Sequence, residues 1–220
     1  MLIDPHREGN VRRLSTPRAA AVAGVLFSVL FATNLVLLRT AIPEDLTAGV
    51  DWVERGAGQI SIAIVLMPFA GIAFLWFIGV VRDSHGAFED QFFSTVFFGS
   101  GLLFLAMVFV SMALAGGILA SSRIATDAVI QREIISFGRA VMLQISNVYA
   151  LRMAGVFMIS LGTIWLRTGL MPRWLVVMTY LLALTLLLVI SLSLWVALIF
   201  PAWVFVIALS ILIRNTSTPA

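Results

Sequence analysis

The stretch Trp174–Ile213, WLVVMTYLLALTLLLVISLSLWVALIFPAWVFVIALSILI, decides the class of fold. It contains forty residues and no charged side chain. As a helix it would be about 60 Å long, whereas the hydrocarbon core of a bilayer is about 30 Å thick. The stretch therefore predicts two membrane-spanning helices. Pro201, together with Trp195 and Trp203 as interfacial side chains, places the break between them near Ser193–Pro201.

The whole chain has the composition of a membrane protein. Its 220 residues are 61% hydrophobic and 11% charged, whereas roughly a quarter of the residues in a soluble domain are charged. The number of charged side chains is too small to cover a water-facing surface, so we expect an integral membrane protein. The absence of cysteine excludes disulfides, thiolate metal sites and cysteine nucleophiles. The net charge of +3 comes from arginine alone and indicates membrane anchoring, not nucleic-acid binding.

Charge-poor runs along the chain predict about six spans, and therefore an all-α, polytopic transmembrane helix bundle. The approximate spans are residues 19–38, 60–81, 92–120, 145–166, 174–193 and 198–213. They form a single transmembrane domain, 19–213, between a tail of residues 1–18 and a tail of residues 214–220. The polar first eighteen residues lack the pattern of a cleaved signal and predict a tail before a retained helix.

The distribution of arginine predicts the orientation. An even number of spans places both termini on one side, where eight arginines fall, against five on the other side. Because cytoplasmic loops carry an excess of positive charge, we expect both termini in the cytoplasm. A lysine-free chain rich in alanine, valine and leucine is typical of a GC-rich bacterium, so the predicted location is the bacterial inner (plasma) membrane. The eight are Arg7, Arg12, Arg13, Arg18, Arg82, Arg167, Arg173 and Arg214; the five are Arg39, Arg55, Arg123, Arg132 and Arg139.

Two segments on the predicted outer side are long enough to carry a function. Residues 41–59 are acidic and contain one tryptophan. Residues 121–144 mix charges at helical spacing, which predicts extensions of the third and fourth helices or an interfacial helix. Two interpretations of this second segment remain open: a docking surface for a partner in the cell envelope, or a solvated helical hairpin.

Small residues at four-residue spacing predict close helix packing in two places. Such residues let two backbones approach in lipid, where dispersion contacts drive association. The partner helix belongs either to this chain or to another subunit, and the spacing leaves both alternatives open. The first stripe is Ala20, Gly24, Ser28 and Ala32; the second patch is Ala113 and Gly117, with Gly116 and Ala120 beside them.

Arg152 is a charged side chain inside a predicted span. Trp165 and Arg167 mark the inner end of that span, which places Arg152 about 7 Å inside the outer boundary near Asn147. From there the guanidinium extends outward to lipid phosphates, and Tyr149, one turn away on the same face, either caps it or stacks on it. A carboxylate of another helix and an anionic ligand are the alternative acceptors. The predicted lipid- or partner-anchoring residues are Arg152, Tyr149, Arg167 and Arg173.

The predicted spans lack the side chains that intramembrane catalysis and proton-coupled transport use. No Asp, Glu, Lys or His falls inside a span, and His6 and His85 lie in polar segments. The serine in FGSG, Phe98–Gly101, would therefore lack a histidine base. One histidine and scattered carboxylates in the polar loop after Arg82 fix no metal geometry. We predict a protein that is not an enzyme and has no cofactor and no metal.

Two C-terminal stretches carry a resemblance to known proteins: Trp165–Leu184, WLRTGLMPRWLVVMTYLLAL, and Ile199–Ile213, IFPAWVFVIALSILI. A span ending in arginine, a Gly–Pro–Arg–Trp turn and a final span with Pro-x-Trp resemble a group of small polytopic membrane proteins of actinobacteria whose function is unknown. The similarity covers the last quarter to third of the chain. It implies a place in a larger envelope assembly, such as a lipid importer of the mammalian-cell-entry type or a respiratory complex, and it assigns no site residues.

Together these features predict a function of interaction. We expect a non-catalytic accessory or stabilising subunit of a larger cell-envelope membrane complex, with membrane lipids and other integral membrane subunits as partners. The alternative is a small transporter, or a protein that binds lipid or another hydrophobic ligand in a cavity among helices three to six. A continuous polar or lipid-sized cavity would favour the alternative, and solid packing between the helices would argue against it.

Overall fold

The computed structural model describes residues 17–43, 45, 49–85, 91–124, 127–188 and 194–216. Within these ranges the chain forms helices and no strand, which confirms the predicted all-α fold. A π-helical segment, Ile145–Ala150, joins the fourth helix to the fifth. The α-helices are α1 (Pro17–Ala41), α2 (Trp52–His85), α3 (Gln91–Ile124), α4 (Ala128–Gln144), α5 (Leu151–Thr168), α6 (Arg173–Leu188), α7 (Leu194–Ala197) and α8 (Ile199–Thr216).

Among the described residues, five helical segments are long and apolar enough to cross a membrane, and the protein is a multi-pass integral membrane protein. They are Arg18–Ala41, Trp52–Arg82, Phe92–Arg123, Ala128–Thr168 and Trp195–Ile213. The sixth apolar helix, α6, has 16 residues. Residues 189–193 of the predicted fifth span lie outside the described residues, as do residues 1–16 and 217–220 of the two predicted tails.

The third and fourth helices continue past the boundaries that the hydropathy pattern predicted. α3 ends at Ile124, and after a short connection one continuous helix runs from Ala128 through the π segment to Thr168. Asp127 caps the start of α4, because its Oδ1 accepts a hydrogen bond from the N–H of Val129 at 2.8 Å. Residues 121–124 and 128–144 therefore extend the two helices into an antiparallel pair.

The core of the bundle is a cluster of phenylalanine rings, one from each of the five helices α1, α2, α3, α5 and α8. Phe74 lies at its centre, and its ring centroid is 4.5 to 5.8 Å from those of the other four. All five rings are buried. Offset and edge-on aromatic pairs at these distances add to simple burial. We call this set the central phenylalanine cluster: Phe27, Phe74, Phe104, Phe157 and Phe200.

The turn between α5 and α6 is built from glycine and proline. Gly169 has φ 65°, a left-handed conformation that favours glycine, and its N–H donates to the carbonyl of Trp165 at 2.9 Å. Pro172 directly precedes α6, and its carbonyl accepts a hydrogen bond from the N–H of Leu175 at 3.0 Å. The turn brings α6 back antiparallel to α5, so that Gly155 of α5 packs against Leu187 of α6.

Candidate functional site

The small-residue stripe of α1 is used inside the chain. A Cβ atom at Gly24 would lie 2.9 Å from Ala208 Cβ on α8 and 3.0 Å from the ring of Phe77 on α2. Glycine thus permits α1 to approach both helices closely. Of the two alternatives that the spacing left open, the structure shows the stripe packed on helices of the same chain. Ala20, Gly24 and Ser28 are buried, and Ala32 is half-buried.

The second small-residue patch, on α3, lies on the surface instead. Ala113, Gly117 and Ala120 are exposed, and a Cβ atom at Gly117 would meet no neighbouring atom within 4 Å. An apolar groove of about 310 Å³ borders the patch between α2 and α3. Its walls include Ile64, Met67, Pro68, Phe109, Ala113 and Gly116. We call this groove, together with Ala113, Gly116, Gly117 and Ala120, the α3 face.

The groove arises because α2 and α3 touch at one level and separate at another. A Cβ atom at Gly71 would overlap the ring of Phe109, so the two helices are in close contact there. At Gly116 the nearest side-chain atom to a Cβ, on Ile64, is 3.7 Å away. Pro68 lies inside α2 between these levels, and proline within a helix bends it. The α3 face is therefore a concave apolar surface framed by helices of fixed position.

A separate cleft of about 430 Å³ forms where α1 ends and α2 begins. We call it the α1–α2 cleft. A Cβ atom at Gly56 would lie 2.9 Å from Ala41 Cβ and 3.1 Å from the Ala41 carbonyl oxygen, so glycine allows the first turn of α2 to touch the last turn of α1. The polar side chains that line the cleft are Arg39, Thr40, Asp51, Trp52, Arg55 and Gln59.

Arg139 is a buried arginine beneath this cleft. The charge pattern grouped it with water-facing arginines of residues 121–144, but it is only 1% exposed. Its guanidinium carbon lies 5.6 Å from the ring centroid of Trp52, and the carboxylate of Asp45 attracts it. The sequence near Arg139 did contain a signal for its burial. Position 139 lies four residues after Ile135 and three before Met142, so it shares the apolar, buried stripe of α4 with them.

Two of the predicted anchoring residues lie at the turn between α5 and α6. Arg167 is exposed, and its guanidinium carbon lies 4.7 Å from the ring centroid of Phe93 on α3. Arg173, the first residue of α6, is also exposed. The Arg167–Phe93 contact is a cation–π pair that ties α5 to the start of α3. The anchoring role of both arginines remains a prediction.

The other two predicted anchoring residues lie near the π segment. Tyr149 is 54% exposed, and Arg152, on the first turn of α5, is half-buried. Gly155, one turn further along, packs against Leu187, in the last described turn of α6. The anchoring role of Arg152 and Tyr149, and the identity of the acceptor of Arg152, remain predictions.

A small interior cavity lies among the described residues. Near the π segment it encloses about 30 Å³ between Phe31, Phe104, Met112 and Asn147. That volume accommodates about one water molecule. Among the described residues, no group of three or more His, Asp or Glu side chains is placed to hold a metal ion.

No protein-family model, curated protein or solved structure matches the chain. The class of the protein therefore follows from its own structure, which is a multi-pass bundle of apolar helices. The two surface features described above are the α3 face and the α1–α2 cleft.

Proposed function

We propose that this protein is a non-catalytic accessory subunit that stabilises a larger membrane complex of the cell envelope, by packing the α3 face against a helix of another integral membrane subunit. A lipid importer or a respiratory assembly is the kind of complex that the C-terminal resemblance implies.

The observation that carries this proposal is the difference between the two small-residue sets. On α1 the stripe is covered by α2 and α8, whereas on α3 Ala113, Gly117 and Ala120 are exposed beside a groove. In lipid, helices gain little from burying apolar surface as such, so association depends on close packing at small residues. A partner helix laid along the α3 face would gain that packing, and the groove would receive one of its larger side chains.

The alternative function, a small transporter or a lipid-binding protein, has less support. Transport through the bundle needs a continuous path between the helices. The central phenylalanine cluster fills the middle of the bundle, and the described cavity beside it holds about 30 Å³. This packing favours a scaffold over a conduit.

Purification from native membranes in mild detergent, followed by mass spectrometry of the companions, tests the proposal. We expect defined integral membrane subunits to accompany the wild-type chain and Gly117→Leu to lose them, because leucine fills the surface on which the partner helix lies. Recovery of the wild-type chain alone from every preparation would refute an accessory role.

Gly79→Leu is the matched control. Gly79 is also an exposed helical glycine, and a Cβ atom there would meet no neighbouring atom within 4 Å, but it lies on α2 away from the α3 face. The Gly79→Leu variant should keep the companions. Equal loss in both variants would show a general effect of leucine on the bundle and would count against the α3 face as the interface.

A further inference from the structure

The α1–α2 cleft combines positive charge with a position at the end of two spanning helices. Arg39 lies in the last turn of α1 and Arg55 in the first turn of α2, and both line the cleft. Asp51 is the one carboxylate among the polar side chains that line it within the described residues. The lining therefore carries a net charge of about +1 by this count, which suits a singly charged anion.

The level of the cleft relative to the membrane follows from Trp195. This side chain is 54% exposed, and the guanidinium carbon of Arg39 lies 5.6 Å from its ring centroid. Exposed tryptophans of membrane proteins concentrate at the height of the lipid headgroups. A guanidinium beside such a ring lies at the height of the lipid phosphates, whose oxygen atoms arginine N–H groups bind well.

The inner wall of the cleft contains a hydrogen-bond donor that no group of the described protein satisfies. Trp52 is 5% exposed, and its Nε1–H is buried and meets no acceptor among the described residues. Buried indole N–H groups normally find an acceptor, and leaving one unsatisfied is destabilising. An oxygen atom of a bound anion at this wall would supply the missing acceptor.

The other side chains hold these donors in place. The Nε of Arg55, which lines the cleft, donates to the main-chain carbonyl of Asp51 at 3.4 Å. Behind Trp52, the buried guanidinium of Arg139 adds positive charge, which Asp45 partly offsets. Close contact between Gly56 and Ala41 sets the spacing of the two helix ends.

From this geometry we propose that the α1–α2 cleft binds the phosphate of a membrane phospholipid, with Arg39 and Arg55 as charged donors and Trp52 Nε1–H as the buried donor. The lipid tails would follow the apolar outer surface of α1 and α2, while the headgroup occupies the cleft. This site is independent of the α3 face, and each can fail without the other.

The test is native mass spectrometry of the full chain in detergent, titrated with phosphatidylglycerol and, separately, with diacylglycerol, which has similar tails and no phosphate. We expect phosphatidylglycerol to bind at least tenfold more tightly than diacylglycerol. Arg55→Gln and Trp52→Phe should each weaken phosphatidylglycerol binding, Arg55→Gln by about tenfold because a charge-assisted hydrogen bond is lost. Equal binding of the two lipids by the wild-type chain would overturn the proposal.

Arg132→Gln is the control, because Arg132 is an exposed arginine of α4 that does not line the cleft. Its affinity for phosphatidylglycerol should equal that of the wild-type chain, and an equal loss in Arg132→Gln and Arg55→Gln would overturn the assignment to the cleft. A melting curve for each variant separates lost binding from lost folding, and Arg55, being exposed, tolerates replacement best. If inorganic phosphate alone displaces the lipid at equal concentration, the ligand is a soluble phosphate and the lipid assignment is overturned.

Discussion

The guanidinium carbon of Arg139 lies 5.6 Å from the ring centroid of Trp52, so a cation of α4 rests on the first residue of α2. Both side chains are nearly fully buried, at 1% and 5% exposure. A desolvated cation–π pair is worth about 2 kcal/mol, more than an exposed one. The contact joins the α3–α4 extension to the wall of the α1–α2 cleft, and the cleft therefore depends on a helix that does not line it.

This pair should show energetic coupling in a double-mutant cycle. We expect Trp52→Leu and Arg139→Met, made singly and together, to give a coupling free energy of about 1–2 kcal/mol, because either change removes the same contact. The measurement is the free energy of unfolding in mixed detergent micelles. Arg139→Met combined with Trp195→Leu is the control, since Trp195 contacts Arg39 instead. The free-energy changes of those two substitutions should be additive. Similar coupling in both cycles would contradict a specific contact between Arg139 and Trp52.

The close approach of α1 and α2 makes Gly56 sensitive to a single methyl group. Gly56→Ala should lower the free energy of unfolding by about 1–3 kcal/mol, because the new Cβ meets both backbone and side-chain atoms of Ala41 and the helices must separate. Gly58→Ala, two residues on, meets no atom within 4 Å and should be neutral or stabilising by up to about 1 kcal/mol. Thermal unfolding of the two purified variants compares their stabilities. Equal melting temperatures would show that Gly56 is not needed for the close approach of α1 and α2.

The hydrogen bond between Trp203 and Thr179 should contribute to stability inside the bundle. Trp203 Nε1 donates to Thr179 Oγ1 at 2.8 Å, and both residues are at most 1% exposed. Thr179→Val should cost about 1–3 kcal/mol, since it leaves a buried indole N–H without an acceptor.

Thr185→Val serves as the comparison for that variant. The hydroxyl of Thr185 donates to the carbonyl of Leu181 on its own helix, at an exposed position. We expect a change within about 0.5 kcal/mol, as is usual for surface substitutions. The measurement is the unfolding curve of each valine variant in the same detergent. Equal losses of unfolding free energy would contradict a stabilising hydrogen bond between Trp203 and Thr179.

Arg152 can be tested by two replacements that differ in charge. An arginine that anchors the helix in lipid phosphates should tolerate Arg152→Lys, because lysine also extends to the interface, and should lose little with Arg152→Leu. A bidentate site for a carboxylate or a phosphate should suffer in both variants. Yield and melting temperature of the membrane-extracted protein are the measurements. Loss of assembly in Arg152→Lys would refute anchoring as its role.

Much of the fold could be predicted because the decisive signals are local. The uncharged run Trp174–Ile213 and the glycine–proline turn before it mark helices and a turn without reference to the rest of the chain. The ends of α3 and α4 were harder to predict, since charged residues at helical spacing fit either an extended hairpin or a separate interfacial helix.

The candidate sites were less predictable. Gly24 and Gly117 belong to similar small-residue patterns, yet one is buried between α2 and α8 and the other is exposed. Arg139 and Arg132 are both charged residues of α4, yet only Arg139 is buried. Nothing in the immediate sequence distinguishes the two glycines.

The sequence by itself determined that this is an all-α membrane protein, because the free energy of placing a helix in lipid is set mainly by the residues of that helix and their order. Only the tertiary structure decided which small-residue surface stays open, which arginine lies against Trp52 and where α1 and α2 leave a cleft. Those features depend on which helices become neighbours, and neighbours are chosen by contacts such as the central phenylalanine cluster, whose members are far apart in the chain.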